Sequence, residues 1–346
     1  MMRPAWAHTC GCKSRRKLVT TNEAKRNCWE CQGCLDLKLS NRPVRTRRPG
    51  GVAGAQPMIA APYADPAMQA THWITSRFAI DLSRPQVMGI VNATPDSFSD
   101  GGSHPTPLAA LAHCEALLRA GADILDIGGE STRPGAPAVP LDLELERVLP
   151  VVRGAVSMGV PVSVDTFKPE VMRAVLEAGA DIINDIWALR QPGALAVVAQ
   201  HPQCGVCLMH MHRDPQTMQV APMEGDVVLQ VGNFLRGQAQ LLQGHGVDAA
   251  RIVLDPGIGF GKTVQQNFTL LAHQGQIQSI GYPILAGWSR KSSLGAVTGL
   301  PVEDRLAPSV AAALLSVDRG ARIVRVHDVR ETVAALAVWS AMQATN

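Results

Sequence analysis

Short apolar runs alternate with longer amphipathic segments along most of this chain, from Arg84 to the C-terminus. Each apolar run has the length of a buried strand, and each longer segment carries Ala and Leu at helical spacing. The apolar runs predict eight strands, at residues 86–91, 123–127, 161–165, 181–185, 205–209, 251–255, 282–286 and 322–326.

The segments between these strands predict helices at 107–120, 141–158, 169–178, 226–244 and 305–319, with an apolar C-terminal helix over 329–342. A glycine precedes several of the strands, where a helix C-terminus would need it. Eight such units in about 260 residues predict an α/β fold, a closed (β/α)8 TIM barrel. An open dinucleotide-binding sheet is disfavoured, because G-x-G-x-x-G does not follow the first strand.

Residues 1–70 differ in composition from the predicted barrel at 71–346. Residues 1–50 hold 12 basic and 3 acidic residues, and five of the eight cysteines lie in the first 34 positions. A zinc-binding knuckle would need a second pair of ligands, which is missing at the usual distance. The composition favours a disordered extension, and a mis-assigned start with Met58 or Met68 as the true one is the alternative.

Charge and hydropathy limit the classes of partner. Residues 51–346 hold 20 basic and 26 acidic residues, so the basic character of the chain belongs to its extension and a nucleic-acid partner is not expected for the barrel. No apolar span reaches 18 residues, which disfavours a membrane helix. The cysteine usage fits a reducing cytoplasm, which is the expected location.

Polar side chains end several predicted strands, where a TIM barrel places its active site. Asp165, Asn184 and Asp255 would point into one cavity with Lys291 nearby. Two carboxylates, an amide and an ammonium group suit a flat aminopyrimidinone, whose N–H groups need acceptors and whose carbonyl needs a donor. The alternative is that each Asp caps a helix.

A second group of residues predicts an anion site. Arg325 and His327 alternate at the last strand, and barrels commonly bind phosphate near strands 7 and 8. Asn92 ends the first strand, which is adjacent to the last one in a closed barrel, and its oxygen could hold Mg²⁺ against a diphosphate. The alternative is a solvated basic strand end.

Two long polar loops, at residues 94–104 and 128–137, have the composition of loops that close over a substrate. Thr132 and Arg133 in the second loop could then reach the reacting centre. A glycine-rich segment at 257–263 superficially resembles a P-loop, but it has three residues between its outer glycines where a P-loop has four. An NTPase is therefore excluded.

Eight motifs in order resemble the bacterial dihydropteroate synthases: MGIVNATPDSFSDGG, DIGGESTRPGA, VSVDTFKPEV, INDI, LMHM, DPGIGFGKT, SRKS and RVHDV. The resemblance runs from about Gln86 to the C-terminus and includes every strand end. It implies a TIM-barrel transferase of folate biosynthesis and a sulfonamide target. The implied reaction joins 6-hydroxymethyl-7,8-dihydropterin diphosphate to 4-aminobenzoate with Mg²⁺, and a homodimer is expected.

The resemblance also implies a role for each matching residue. The pterin would be held by Asp165, Asn184, Asp255 and Lys291, with Met209 and Phe260 lining its pocket. The diphosphate would be bound by Asn92 (through the metal), Arg325 and His327. The arylamine would lie near Thr132, Arg133 and Ser292. The implied reaction is dissociative, with diphosphate leaving before the amine attacks and with Asp165, Lys291, Arg325 and Asn92 as the catalytic residues.

Alternatives to the synthase remain. Pterin-binding methyltransferases share the barrel, but the diphosphate-site motifs disfavour them. A non-catalytic paralogue, acting as a pterin- or nucleic-acid-binding protein through the Cys-rich extension, is opposed by the intact candidate residues. Trp288, bulkier than the usual residue before SRKS, could crowd that loop.

Overall fold

The computed structural model has ten strands among the residues that it describes, and eight of them form a closed parallel barrel in which β10 pairs with β3. The structure describes residues 71–94, 106–131, 135–214, 218 and 221–345. The predicted extension over residues 1–70 lies outside the described residues, as do Thr132 and Arg133. The strands are β1 His72–Ile74, β2 Ala79–Asp81, β3 Gln86–Asn92, β4 Ile124–Gly128, β5 Val162–Asp165, β6 Ile182–Asp185, β7 Gly205–Met209, β8 Ile252–Asp255, β9 Ile284–Ala286 and β10 Ala321–Val326.

Helices connect the strands and surround the barrel, so the predicted (β/α)8 fold is confirmed. Gly121 and Gly179 follow helix ends with φ of 98° and 99°, a conformation that glycine adopts without steric cost. The helices are α1 Pro107–Arg119, α2 Leu141–Val156, α3 Pro169–Glu177, α4 Ala194–Gln200, α5 Val227–Gly244, α6 Val264–Ala272, α7 Gln274–Gln278, α8 Ser292–Thr298, α9 Leu306–Asp318 and α10 Val329–Gln343.

The apolar core has two main parts because both faces of a barrel strand are buried. One part fills the space between the strands and the helices. The other fills the barrel interior with one inward side chain from each of seven strands, namely Met88, Ile124, Ile182, Cys207, Val253, Leu285 and Ile323.

A short antiparallel hairpin, β1–β2, packs on this interior layer. Trp73 of the hairpin is fully buried in the layer, and its indole N–H donates to the backbone carbonyl of Arg251 over 2.9 Å. Arg77, between the two strands, forms an ion pair with the buried Asp181 at 2.6 Å. The hairpin thus closes the N-terminal end of the barrel, a role that the apolar pattern did not predict because its strands have three residues each.

Strand periodicity determines what lies above the interior layer. Side chains on a strand alternate between its faces, so the residue two positions after an inward one also points inward. For Ile124, Ile182, Val253 and Ile323, that residue is Asp126, Asn184, Asp255 and Arg325, respectively. On these four strands, the inward side chains therefore change from apolar to polar or charged two residues further toward the carboxyl end.

Candidate active site

Arg325 joins two acidic side chains across the barrel interior. Its Nε donates to Asp126 Oδ2 over 2.6 Å, and its Nη2 donates to Asp165 Oδ2 over 2.7 Å. Asp126 also accepts hydrogen bonds from the Ser163 hydroxyl at 2.6 Å and from the Asn184 amide at 3.3 Å. Four strands thus contribute to one hydrogen-bonded network at the carboxyl end of the barrel.

Asp126 lies at the centre of this network, although no role was predicted for it. Its position two residues after the inward Ile124 was the available signal. Asp126 is fully buried and holds Arg325, Asn184 and Ser163 in one arrangement. The structure brings it together with Asp165, Asn184 and Arg325 as a unit.

Asp165 is the less satisfied of the two acids. Its Oδ2 is paired with Arg325, but its Oδ1 is buried with no hydrogen-bond partner among the described residues. Burial raises the pKa of Asp165, and the nearby charge of Arg325 opposes that rise. A buried acceptor without a donor is costly for a folded protein. Because Asp165 Oδ1 lies at the carboxyl end of the barrel, we infer that an N–H group of a bound ligand donates to it.

Lys291 supplies the second cation of the site. Its Nζ lies 4.2 Å from the centre of the Phe260 ring, a cation–π contact. Burial lowers the pKa of Lys291 to about 8, with the charge of Arg325 adding to this effect and those of Asp255 and Asp165 opposing it. The ammonium form therefore predominates at neutral pH. Asp255 is held in turn by the N–H of Gly257, which donates to its Oδ1 over 2.7 Å.

The glycine-rich segment at 257–263 forms one wall of this cavity rather than a phosphate loop. Gly257 has a φ of 68°, and a Cβ there would lie 1.9 Å from the His210 carbonyl oxygen, so only glycine fits. The buried Lys262 Nζ donates to the carbonyls of His210, Gly257 and Phe260. The turn is thereby fixed with Phe260 beside Lys291.

The apolar side of the site is a separate buried cluster. Met209 and Phe260 are both buried in it, and their predicted place in the pterin pocket stays a prediction. Phe167 and Trp187 pack against the cluster, and their rings stack with centroids 5.7 Å apart. The cluster comprises Ile186, Met209, Met211, Met218 and Phe260, with Phe167 and Trp187 at its edge. A flat ring would meet an apolar surface here and polar groups on the barrel side.

His327 follows β10 and is oriented by Ser289. The Ser289 hydroxyl oxygen accepts the His327 backbone N–H at 3.1 Å and lies 3.0 Å from His327 Nδ1. These two contacts fix the orientation of the His327 ring. Burial, followed by the charge of Arg325, lowers the pKa of His327 to about 3. The ring is therefore a neutral N–H donor, and Ser289 is a second residue that sequence reasoning missed.

The remaining predicted residues lie around the opening of the barrel. Asn92 ends β3 and is half-buried, and Ser292 is exposed at the first position of α8. Trp288 is buried in the layer between strands and helices, where it packs on Phe268 of α6 with ring centroids 5.2 Å apart. The bulk of the Trp288 side chain therefore lies between the strands and the helices, not in the loop before SRKS. Arg290 forms an ion pair with Asp328 at 2.5 Å.

The donor set for a metal is small. Within the described residues, no three His, Cys, Asp or Glu side chains come together as a metal site would require. Asn92 contributes one amide oxygen at the opening. Mg²⁺ commonly keeps several waters and takes its remaining oxygens from few protein groups and from substrate phosphates. The residues present therefore fit a magnesium ion that arrives with a diphosphate, and they do not fit a metal held by protein alone.

Comparisons with known proteins agree with this geometry. Residues 88–327 match the family described as pterin binding enzymes. The dihydropteroate synthase of Neisseria meningitidis serogroup B is 49% identical over 276 residues, covering 78% of this chain and 97% of the relative. The chain belongs to the dihydropteroate synthase family.

Two solved synthases show the same fold. Burkholderia cenocepacia dihydropteroate synthase, complexed with 7,8-dihydropteroate, is 53% identical with a TM-score of 0.73, covering 80% of this chain and 97% of that one. The Yersinia pestis synthase, in a sulfonamide drug complex, is 44% identical with a TM-score of 0.75, covering 79% and 99%. Among the helices of the described residues, none has the length and apolar character of a membrane span.

Proposed function

We propose that this chain condenses 6-hydroxymethyl-7,8-dihydropterin diphosphate with 4-aminobenzoate, giving 7,8-dihydropteroate and diphosphate. Membership of the dihydropteroate synthase family makes the chain a pterin-binding transferase of folate biosynthesis. The observation that carries the proposed chemistry is the network of Asp126, Asp165, Asn184 and Arg325, in which Asp165 keeps a buried oxygen without a donor. The synthase bound to 7,8-dihydropteroate supports the substrate pair.

The pterin ring would bind between the polar network and the apolar cluster. Asp165, Asn184 and Asp255 offer oxygen acceptors to its N–H groups, and Lys291 offers a donor to its carbonyl. Met209 and Phe260 would contact the ring face. This binding gives Asp165 Oδ1 a partner.

The reaction breaks the C–O bond between the pterin methylene group and the diphosphate, and the electron pair leaves with the oxygen. Arg325 and a ring N–H of His327 would stabilise the growing negative charge on the leaving diphosphate. The methylene carbon becomes cationic, and the carboxylates of Asp126 and Asp165 stabilise it because they are already oriented by Arg325. Charges that are already oriented in this way act with little reorganisation during the reaction.

The arylamine nitrogen then attacks the methylene carbon, forming the C–N bond and releasing a proton to solvent. Thr132 and Arg133, which lie outside the described residues, and the exposed hydroxyl of Ser292 would bind the 4-aminobenzoate carboxylate. Sulfonamides resemble that substrate, and the Yersinia pestis synthase is known in complex with such a drug. Sulfonamides should therefore compete with 4-aminobenzoate here.

Magnesium would be held by the Asn92 oxygen together with the diphosphate. Bound there, the ion supplies charge neutralisation to the departing diphosphate. Removing the Asn92 amide oxygen, as in Asn92→Leu, should raise the magnesium concentration needed for half-maximal activity.

The chain is further proposed to act as a cytoplasmic homodimer without a nucleic-acid partner. The outer faces of α9 and α10 expose Leu315, Val338 and Met342, and Val338 is 73% exposed. An apolar face of this kind is typical of a surface that another protein chain covers. Sedimentation of wild type and Val338→Asp would test the dimer.

Diphosphate release by the purified chain tests the reaction. Release should require the pterin diphosphate, 4-aminobenzoate and Mg²⁺, and Lys291→Ala should lower kcat/KM by about 100-fold or more, because it removes a charge aimed into the site. Arg290→Gln is the matched control. Arg290 is next to Lys291 in the sequence, but its side chain forms an ion pair with Asp328 and takes no part in the Asp126–Arg325 network. A folded wild-type chain that releases no diphosphate would instead support a non-catalytic paralogue.

A further inference from the structure

Lys168 joins two acidic side chains that belong to different parts of the chain. Its Nζ donates to Glu130, which follows β4, and to Glu144 in the first turn of α2. Glu144 is almost fully buried and also accepts the Thr166 hydroxyl at 2.8 Å. The side chains of Lys168 and Glu130 keep only 18% and 10% of their exposure, so all three charges are shielded from water.

Glu130 connects this cluster to the segment between β4 and α2. Its Oε1 accepts the backbone N–H of Val139 at 3.1 Å, so one carboxylate bridges the two ends of residues 130–139. Arg147 Nη1 donates to the Gly129 carbonyl over 2.9 Å and holds the start of the same segment. Hydrogen bonds therefore hold both described ends of the segment, and the Glu130 carboxylate that makes one of these bonds also pairs with Lys168.

Lys168 also lies three residues after Asp165, at the N-cap of α3. The backbone that carries the Asp165 carboxylate thus leads directly into the residue that fixes the base of segment 129–140. This segment includes Thr132 and Arg133 in the sequence, the residues assigned above to 4-aminobenzoate. One side chain consequently links the strand of the pterin site to the loop of the arylamine site.

Stability alone does not explain this arrangement. Three buried groups with one positive and two negative charges are costly, and burial raises the pKa of Glu144 although Lys168 opposes the rise. A buried ion pair often contributes little net stability compared with apolar packing. The Glu130 carboxylate adds electrostatic repulsion with Glu144. What it contributes is a connection between Lys168 and the chain at Val139.

We propose that Lys168 is a positioning residue that holds the two described ends of the segment 129–140, at Glu130 and Val139, beside the chain that follows β5, and so sets the affinity for the arylamine. The inference rests on the proposed function, because it uses the assignment of 4-aminobenzoate to this segment. The role proposed for Lys168 requires no contact between its side chain and either substrate. Its loss should therefore weaken arylamine binding while the pterin contacts on the strand ends persist.

The test compares Lys168→Met, Lys168→Arg and Glu130→Ala with a control, Arg77→Met. Arg77 also holds a buried carboxylate, Asp181, but at the N-terminal end of the barrel. Glu130→Ala is included because it leaves the Lys168–Glu144 pair intact and avoids an unpaired Glu144. Steady-state kinetics would give kcat and KM for each substrate, and hydrogen exchange would follow a peptide covering 129–140.

Lys168→Met and Glu130→Ala should raise the KM for 4-aminobenzoate about tenfold, as expected for a group displaced by a lost support. The KM for the pterin diphosphate should change less than about twofold, which corresponds to about 0.4 kcal/mol. Exchange in the 129–140 peptide should accelerate, and Lys168→Arg should restore most of both effects. Arg77→Met should lower the melting temperature and leave both KM values unchanged.

Equal changes in the two KM values, or unchanged exchange in the 129–140 peptide, would overturn the role of Lys168. An inactive but folded wild type would refute the proposed function instead. Because the exchange measurement needs no turnover, the two failures are distinguishable.

Discussion

The two ends of the barrel each contain a buried acid paired with an arginine, yet the two pairs differ in how fully they are satisfied. At the N-terminal end, Asp181 accepts hydrogen bonds on both oxygens, from the backbone N–H, Nε and Nη2 of Arg77 and from the N–H of Val162. Arg77 also donates to the carbonyls of Val156 and Val160. Within the described residues, that pair has no need of a ligand.

The pair at the carboxyl end is incomplete. Arg325 divides its donors between Asp126 and Asp165, and Asp165 keeps one buried oxygen without a partner. Both ends use the same chemical groups at comparable distances, so the type of contact does not reveal the function. The difference is that both oxygens of Asp181 have donors within the described residues, whereas Asp165 keeps one acceptor oxygen for a substrate. A satisfied network stabilises the fold, and an unsatisfied one carries a cost that binding relieves.

The strongest test of this comparison is to remove the acid at each end. Asp181→Ala should lower the free energy of unfolding by about 3 kcal/mol, the low end for a broken buried pair because Arg77 is partly exposed. Asp165→Ala should lower it by less than about 1 kcal/mol, since it also removes an unsatisfied oxygen and leaves Arg325 paired with Asp126. Urea unfolding monitored by tryptophan fluorescence would measure both values. Equal losses would show that the two ends are not distinguished in this way.

Arg325→Ala should have a large effect on catalysis. We expect kcat/KM to fall by about 100- to 1,000-fold, because the substitution removes a charge aimed at the leaving group and releases the two acids that it orients. Steady-state diphosphate release would measure the loss. Arg77→Ala, the corresponding change at the other end, should leave kcat/KM within about twofold of wild type once folding is confirmed. A similar loss of kcat/KM in both variants would show that the effect comes from general damage to the fold and not from the position of Arg325 in the active site.

Strand periodicity explains how much of this could be predicted from sequence. Apolar runs ending in polar residues located all eight barrel strands, and the alternation of faces predicted that Asp165, Asn184 and Asp255 point inward at the carboxyl ends of their strands. The partners of those residues could not be predicted in this way. Arg325 donates to Asp126 and Asp165, and these pairings depend on distances across the barrel that the sequence does not contain. Its predicted role toward a diphosphate stays a prediction.

Other features were missed because their sequence signal is weak or ambiguous. The β1–β2 hairpin consists of two three-residue strands, too short to show periodicity. Helix α4 has only seven residues, two turns of helix, and α6 begins directly after the glycine-rich segment that resembles a P-loop. Ser289 gave no signal either, because a serine before a cationic segment has no distinctive pattern. Its role depends on the approach of His327 from another strand.

Trp73→Phe offers a smaller test of the N-terminal end. The change keeps an aromatic ring in the interior layer and removes the indole N–H that donates to the Arg251 carbonyl. The expected cost is about 1–3 kcal/mol in the free energy of unfolding, the price of leaving that buried carbonyl unpaired. Both KM values and kcat should be unchanged. A catalytic defect in a folded Trp73→Phe variant would contradict a purely stabilising hairpin.

The smallest expected effect is the pH dependence contributed by Lys291. Its pKa is lowered to about 8, primarily by burial and then by Arg325, so the ammonium group loses its proton just above neutral pH. The kcat/KM for the pterin diphosphate should therefore decline through pH 8 and fall about tenfold by pH 9. Lys291→Arg should retain activity further into the alkaline range, because a guanidinium stays protonated there.

Stability should change with pH in the opposite direction. Between about pH 8 and the ordinary lysine pKa of 10.5, the unfolded chain binds a proton at Lys291 that the folded chain does not. The free energy of unfolding therefore gains a contribution that rises with pH across this window. Burial lowers the pKa of Lys262 to about 7, so Lys262 adds a similar rise. The contribution of Lys291 is therefore measured as the difference in the free energy of unfolding between wild type and Lys291→Met.

If activity falls with pH while this difference in unfolding free energy grows, the charged form of Lys291 supports activity but lowers stability. Parallel changes in both quantities would mean that alkaline loss of activity is only partial unfolding.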